Sequence, residues 1–186
     1  MLLAAVLSGT ARVASGAAPA LLDELVVSRG VLTAGELRLR CAVGRGGVRR
    51  DKVEGDGATP AGRFALRLVL FRPDRVAGVE TALPARALSP ADGWCDDAAA
   101  PRYNTLITLP SSAHHEELWR ADHLYDVIAV IGYNDAPVIA GKGSAIFLHV
   151  ASPDFAATDG CVALALPALL TVLRRCGPMT AIKVEA

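Results

Sequence analysis

Aromatic residues are scarce in this 186-residue chain, at 5% of the sequence, and neither sign of charge is in excess. Lys and Arg together number 19, as do Asp and Glu, so the formal net charge is zero. Proteins that bind nucleic acid usually present a basic surface, often with aromatic side chains on which bases stack. The composition therefore gives no reason to expect nucleic acid as a partner.

Long apolar runs are also lacking. No stretch reaches the roughly 20 apolar residues that a helix needs to cross a membrane, so we expect no membrane span. Residues 1–8 are apolar, and residues 18–20 resemble the small-residue cleavage site of a signal peptide. However, no Lys or Arg precedes the apolar run, and Arg12 follows it closely. We therefore interpret residues 1–25 as an N-terminal extension or a weakly signal-like segment.

The four cysteines, at positions 41, 95, 161 and 176, include no Cys-x-x-Cys pair. That spacing is typical of zinc ribbons and thioredoxin-like redox sites, so neither is indicated. Cys41 and Cys95 both lie beside turn-rich loops, which leaves two alternatives: a disulfide in an oxidising compartment or two free thiols. Cys176 lies among apolar residues at the end of a predicted helix, where we expect it to be packed.

A metal motif is missing too, although His114, His115 and His123 lie close together in the sequence. The pattern His-Glu-x-x-His would need a second histidine at position 119, where Trp119 stands. The spacing does not match a structural zinc site either. We therefore expect no metal and no organic cofactor.

What the chain has in abundance is apolar residues, at 52%, which together with its length suits one domain with a sizeable core. Period-two alternation and β-branched runs predict strands joined by Gly- and Pro-rich turns. The predicted strands include residues 37–43, 63–72, 103–109, 125–132, 144–150 and 180–185. In the strand over 63–72, Phe64, Leu66, Leu68 and Leu70 are expected to share one face.

Helical signals are few. Leucines at 166, 169, 170 and 173 keep helical spacing, Pro167 suits a first turn, and Gly177-Pro178 follows the end. Ser111-Ser112 can cap a second short helix over residues 115–120. Residues 74–100 are predicted to be irregular, with Trp94 either in a cleft wall or anchoring an exposed loop. We predict a mainly β fold for residues 26–186, a sandwich or barrel with one or two short helices.

Three charged or glycine-rich stretches lie between the predicted strands over residues 37–43 and 63–72. The turn at residues 44–47 is not a nucleotide loop, because Gly-x-Gly-x-x-Gly would need a glycine where Arg49 stands. The run Arg49-Arg50-Asp51-Lys52 is interpreted as a solvated loop. Residues 55–62 contain dense turn signals, including Thr59-Pro60.

The stretch from residue 143 to residue 163 holds a histidine and a cysteine twelve residues apart. A predicted strand carries His149, a loop follows, and the turn Asp159-Gly160 directly precedes Cys161. This order can bring imidazole and thiol together, the minimum for a cysteine nucleophile with a neighbouring base. Gly160 permits unusual backbone angles that could aim N–H groups at a developing oxyanion. The alternative is structural: a small packed cysteine and a satisfied polar histidine.

Thr158-Asp159-Gly160-Cys161, placed after a strand-end histidine, resembles the catalytic signature of the L,D-transpeptidase (YkuD-type) family. Residues 55–64 resemble the family's Thr-Pro-x-Gly-x-Phe hairpin, and the resemblance covers roughly residues 26 to 185. It implies a monomeric enzyme of the cell envelope or periplasm that acts on peptidoglycan stem peptides. Many members have His where this chain has Asp159 and Arg where it has Ala163.

The resemblance also implies roles for individual residues. Cys161 would attack the bond before the fourth-position D-Ala, with His149 as base and the N–H groups of Gly160 and Cys161 around the oxyanion. The thioester would then give a 3→3 cross-link with an acceptor amine. Hydrolysis by an L,D-carboxypeptidase, or mere binding of peptidoglycan, are the alternatives. The group that orients His149 stays open among Asp159, Ser152, Thr158 and a backbone carbonyl.

Thr158, Asp159 and Arg120 are the candidate substrate-binding residues. Arg120 belongs to a block, residues 115–126, that resembles one in a short subgroup of the family. Its guanidinium could take over a contact with a substrate carboxylate, in place of the arginine missing at position 163. The alternative is a structural ion pair with Asp122 or Asp126.

Overall fold

The computed structural model describes residues 19–186, and within them the fold is mainly β with one short helix. The apolar segment over residues 1–8 and most of the predicted extension lie outside the described residues. The elements are β1 (Glu24–Ser28), β2 (Val31–Ala34), β3 (Leu37–Arg40), β4 (Val48–Arg49), β5 (Thr59–Pro60), β6 (Gly62–Phe71), β7 (Ala85–Ala87), β8 (Asp92–Cys95), β9 (Leu106–Thr108), β10 (His115–Glu117), β11 (Val127–Ile131), β12 (Phe147–Val150), β13 (Val162–Leu164), α1 (Leu166–Leu173) and β14 (Ala181–Val184).

One large sheet organises these elements. Its strands run in the order β13-β12-β11-β6-β14-β1-β2-β3, with β7 beside β6. Ala42, just after β3, exchanges two backbone hydrogen bonds of 2.9 Å with Ala163 in β13. The two ends of the sheet therefore meet, and the sheet is nearly closed. This confirms the predicted mainly β sandwich or barrel with a short helix.

Both faces of the central strands are buried, each in its own apolar cluster. Along β11, Val127, Ala129 and Ile131 join the larger cluster, which also contains the buried side of α1. Ile128 and Val130 point the other way into a smaller cluster with Trp94 and Phe147. This alternation follows from the two-residue period of a strand. The smaller cluster is covered by a second sheet of order β10-β8-β9.

The long strand β6 departs from simple alternation. An extra residue in β6 shifts its register with β11 between Ala129 and Ile131. As a result Leu66 lies in the larger cluster and Leu70 in the smaller one. The prediction that these leucines share one face was wrong, because a bulge reverses which face each side chain takes.

Residues 115–120 do not form the predicted second helix. His115–Glu117 are β10, which pairs with β8 in antiparallel register, Glu116 opposite Trp94. The pairing satisfies backbone groups that a helix would have bonded internally, and it buries Leu118 completely. The region 74–100, predicted to be irregular, supplies the partner strand β8 and also β7. Trp94 is buried in the smaller apolar cluster, so it does not anchor an exposed loop, and it does not line the cleft described below.

The cysteines are all buried and all free within the described residues. Of the two alternatives for Cys41 and Cys95, the structure thus shows free thiols. Cys176 is fully buried beside α1, which confirms its predicted packing. From residue 19 to residue 186, no helix is both long enough and apolar enough to cross a membrane.

Candidate active site

A cleft of about 650 Å³ opens beside the parallel pair β12 and β13. Its lining includes five of the six residues singled out in the sequence: Arg120, His149, Thr158, Asp159 and Cys161. The sixth, Gly160, lies immediately before the cysteine. The chain segments that the sequence predicted to carry chemistry therefore meet at one place.

Strand register explains how the histidine and the cysteine reach this cleft. Leu148 pairs with Val162 and His149 with Ala163, so Cys161 lies one residue before β13 and next to Phe147. The side chains of His149 and Cys161 then lie diagonally across the two strands on one face. That face is the one that carries the smaller apolar cluster.

Cys161 is a buried thiol held between two backbone groups. The amide of Phe147 donates to Sγ at 3.3 Å, and Sγ donates to the carbonyl of Ala145 at 3.2 Å. Burial raises the pKa of the Cys161 thiol far above its usual range, and the charge of Glu116 raises it further. The Phe147 amide and Lys52 act in the opposite direction. The resting state is thus a neutral thiol.

His149 is a neutral imidazole. Burial lowers its pKa to about 4, against weaker opposing effects of backbone carbonyls. Nδ1 lies 2.9 Å from the carbonyl oxygen of Val150, so we assign the ring proton to Nδ1. Nε2 is then unprotonated and available as a base. The ring packs edge-on against Tyr125, with the centroids 5.3 Å apart.

A backbone carbonyl is therefore the group that orients His149, and the three side chains weighed with it are occupied elsewhere. Ser152 donates to Asp154, and Thr158 Oγ1 donates to the Cys161 carbonyl oxygen at 2.7 Å. Asp159 forms an ion pair with Arg45 at the rim of the cleft, where the Asp159 side chain is 80% exposed.

The backbone conformation at position 160 requires a glycine. Its φ is +134°, and a Cβ there would lie 2.9 Å from the carbonyl oxygen of Ala58. Its N–H donates to Thr158 Oγ1 at 3.2 Å, so this N–H is engaged inside the loop in the resting structure. Thr158 lines the cleft, and its hydroxyl stabilises the loop through two hydrogen bonds.

Arg120 forms an ion pair with Asp122, which was the structural alternative to a substrate-binding role. Its guanidinium donates to both carboxylate oxygens of Asp122, at 2.5–3.2 Å, and lies over the Tyr125 ring. Asp126 pairs with Arg75 instead. Arg120 still lines the cleft with about a third of its side chain exposed, so the pairing leaves it accessible from the cleft.

Sequence reasoning missed Lys52, which was interpreted as part of a solvated loop. Its side chain is only 3% exposed and its ammonium pairs with Asp56 at 2.7 Å. Two amides, of Val53 and Ala58, also donate to the Asp56 carboxylate. The signal available in the sequence was the spacing of Lys52 and Asp56, four residues apart in a glycine-rich stretch.

Glu116 lies in the block of residues 115–126 that resembles the family subgroup, but the sequence did not indicate its contacts. Its carboxylate accepts a hydrogen bond of 2.6 Å from the Tyr125 hydroxyl. Burial raises the pKa of Glu116, and the Tyr125 hydroxyl partly opposes this. Tyr125 thus links a half-buried carboxylate to the His149 ring and to Phe147, on which it also packs edge-on.

The three histidines that are close in sequence each contact a different hydrogen-bond partner. His114 pairs with Asp96, His115 with the carbonyl of Ala113, and His123 with Asp126. Across residues 19–186, no group of three or more His, Cys, Asp or Glu side chains is arranged to hold a metal ion.

The family model of the L,D-transpeptidase catalytic domain, YkuD, matches residues 25–184. That range runs from β1 to β14 and includes the whole cleft. The chain belongs to this family, which acts on peptidoglycan. Searches among curated proteins and among solved structures found no match.

Proposed function

We propose that this protein is a cysteine-dependent L,D-transpeptidase of the cell envelope, which forms 3→3 cross-links between peptidoglycan stem peptides through a thioester. The observation that carries the proposal is the placement of Cys161 and a neutral His149 on one face of β12 and β13, in one cleft. A thiol and an unprotonated imidazole in one site are what acyl transfer by a cysteine needs.

The charges of the two groups define how acylation begins. Because burial raises the pKa of the thiol and lowers that of the imidazole, a resting thiolate–imidazolium pair is disfavoured. Proton transfer from Sγ to Nε2 of His149 therefore accompanies attack on the substrate carbonyl. The new C–S bond forms as the carbonyl electrons move to oxygen. With the Gly160 amide engaged by Thr158, we assign the amide of Cys161 to that oxyanion.

Collapse of the tetrahedral intermediate completes the first half-reaction. The C–N bond to D-Ala breaks, and the leaving amine takes the proton that His149 holds. A thioester to Cys161 remains. In the second half-reaction a side-chain amine of another stem gives a proton to His149 and attacks the thioester, which releases the thiol. Water in the place of the amine would make the product a tripeptide.

Intact-protein mass spectrometry with a tetrapeptide-stem muropeptide tests this. We expect a mass increase equal to the stem without D-Ala, absent in Cys161→Ala and retained in Cys176→Ala, which makes the same change away from the cleft. Soluble cross-linked dimers would identify a transpeptidase, and tripeptide alone would identify an L,D-carboxypeptidase. If folded protein formed no adduct and released no D-Ala, the proposal would be wrong and a binding role would stand.

A further inference from the structure

A buried ammonium group lies beside the residue that precedes the nucleophile. Lys52 follows β4, and its stem passes so close to Gly143 that a Cβ there would lie 2.7 Å from Lys52 Cε. Its Nζ is 3.6 Å from the position that a Cβ on Gly160 would occupy. Lys52 and Cys161 both line the cleft. Two glycines thus make room for a lysine that ends at the catalytic turn.

Two of the three N–H donors of the Lys52 ammonium are hydrogen-bonded within the described residues. Within residues 19–186, Nζ donates to Asp56 Oδ1 at 2.7 Å and to the carbonyl of Val53 at 3.4 Å. An ammonium has three N–H donors. The third has no acceptor among the described residues, and Nζ lies near Gly160, the residue before Cys161.

Other ionisable groups line the same cleft as the thiol. Glu116 of β10 lines the cleft, Tyr125 donates to it, and His149 lies on the neighbouring strand. The charge of Glu116 opposes ionisation of Cys161, whereas that of Lys52 favours it. Lys52 is therefore the cation in this cleft whose charge opposes the effects of burial and of the Glu116 carboxylate on Cys161.

We propose that Lys52 supplies the positive charge that stabilises Cys161 as it becomes a thiolate, and then the oxyanion of the tetrahedral intermediate. Asp56 fixes the position of the ammonium and partly offsets its electrostatic effect on Cys161. The second part of this inference rests on the proposed function, whereas the first concerns the thiol alone.

A purely structural role would also explain a buried ion pair. The test must therefore distinguish an electrostatic effect of the ammonium on Cys161 from a contribution of the ion pair to stability. Lys52→Met keeps the stem that fits under Gly143 and removes the charge. Asp56→Asn breaks the same pair and leaves the ammonium uncompensated. Both changes would lower thermal stability through loss of the pair. Their effects on the thiol should have opposite signs only if the ammonium acts electrostatically.

The measurement is the rate at which iodoacetamide alkylates Cys161 in the full chain, followed by peptide mass spectrometry between pH 7 and pH 9. Below the pKa of a thiol this rate follows the thiolate fraction. Loss of one neighbouring charge should shift the thiol pKa by about one unit, so we expect Lys52→Met to react about tenfold more slowly. Asp56→Asn should react faster than the unaltered protein.

If both variants slowed alkylation, or neither changed it, the inference would be overturned. Should Lys52→Met fail to fold, acceleration in Asp56→Asn still decides the matter. Alkylation needs no substrate, so this result is independent of whether an acyl-enzyme forms. With the stem substrate, Lys52→Met should lower kcat, since the charge acts in the transition state. A change in KM alone would mean that the ammonium merely binds substrate, which contradicts the proposal.

Discussion

At position 160 a side chain would meet the backbone of the Gly-rich segment before β5, residues 55–58, because the Ala58 carbonyl oxygen lies 2.9 Å from where its Cβ would be. The left-handed φ of +134° adds a second obstacle. Gly160 sets the direction in which Cys161 leaves the turn. The same small residue thus determines both how closely residues 55–58 pack and where the nucleophile lies.

We expect Gly160→Ala to reduce the acylation rate by at least about tenfold, because a misplacement of about 1 Å in a reacting pair can cost about a hundredfold. Gly47→Ala is the matched control, since Gly47 also has a positive φ but nothing lies within 4 Å of its Cβ position. Both changes should destabilise by about 1–2 kcal/mol through φ. Equal acylation rates in the two variants would show that the close contact is unimportant.

The buried His149 makes stability depend on pH. Its pKa is about 4 in the folded protein and close to 6.5 when exposed. Between these values the unfolded chain binds a proton that the folded protein rejects, so this contribution is full above pH 6.5 and is lost as pH falls to 4. The loss amounts to about 3 kcal/mol.

Denaturant unfolding of the unaltered protein and of His149→Gln, at pH 7 and pH 4, measures this contribution. The difference in unfolding free energy between the two should change by about 3 kcal/mol, to the disadvantage of the unaltered protein at low pH. His114→Gln is a control of opposite sign, because Asp96 raises the pKa of His114. A difference that is independent of pH would mean that His149 is not buried as a neutral ring.

At the scale of elements, α1 shows how far local pattern reaches. Its predicted start near Pro167 and its leucine spacing agree with the helix Leu166–Leu173. The side of the helix that packs on the large sheet is apolar, and Leu169 is fully buried while its neighbour Leu170 is half-buried. The helix directly follows β13, so its packing holds the strand that leads from Cys161.

Leu169→Ala should cost about 2–5 kcal/mol of unfolding free energy, because a buried cavity remains when the side chain is removed. Leu170→Ala, one residue along the same helix, has the same loss of helix propensity and should cost clearly less. Urea midpoints measure both. If Leu170→Ala were the more costly, the helix would be rotated relative to the sheet.

Strand β10 shows where local pattern fails. Serines before an amphipathic block favour a helix over residues 115–120, yet β8 offers an unpaired edge to the same backbone. The pairing partner lies about twenty residues upstream in a segment with no strand signal of its own. A non-local edge therefore overrode the local preference, as often happens for strands.

At the scale of the whole molecule, the last strand lies in the middle of the large sheet. β14 pairs with β1 in parallel and with β6 in antiparallel register, so it joins the first strand to the catalytic half. Its residues Ala181 and Ile182 are almost completely buried. The sheet is nearly closed, and so a missing central strand would open both clusters.

Removal of residues 179–186 should abolish the cooperative unfolding transition, since two neighbouring strands would lose their pairing and the core its cover. Removal of residue 186 alone, beyond the end of β14, is the control and should leave the transition unchanged. Circular dichroism during thermal unfolding measures both. A cooperative transition in the longer truncation would show that β1 and β6 can fold without the strand between them.

Much of this protein follows from sequence by itself. Period-two alternation and β-branched runs predicted β3, β6, β9, β11, β12 and β14, leucine spacing predicted the helix, and Gly160-Cys161 with His149 marked the site. These are local features, since turns, strands and helices have short periods. The resemblance to the L,D-transpeptidase family rested on the same short motifs.

Only the tertiary structure decided burial and partners. It placed Lys52 in the interior, gave His149 a carbonyl partner, paired Arg120 with Asp122, and divided the leucines of β6 between two clusters. Each outcome depends on which distant backbone or charge lies nearby after folding. The physical reason is that pKa, hydrogen-bond partner and strand register are set by non-local neighbours, which no short stretch of sequence contains.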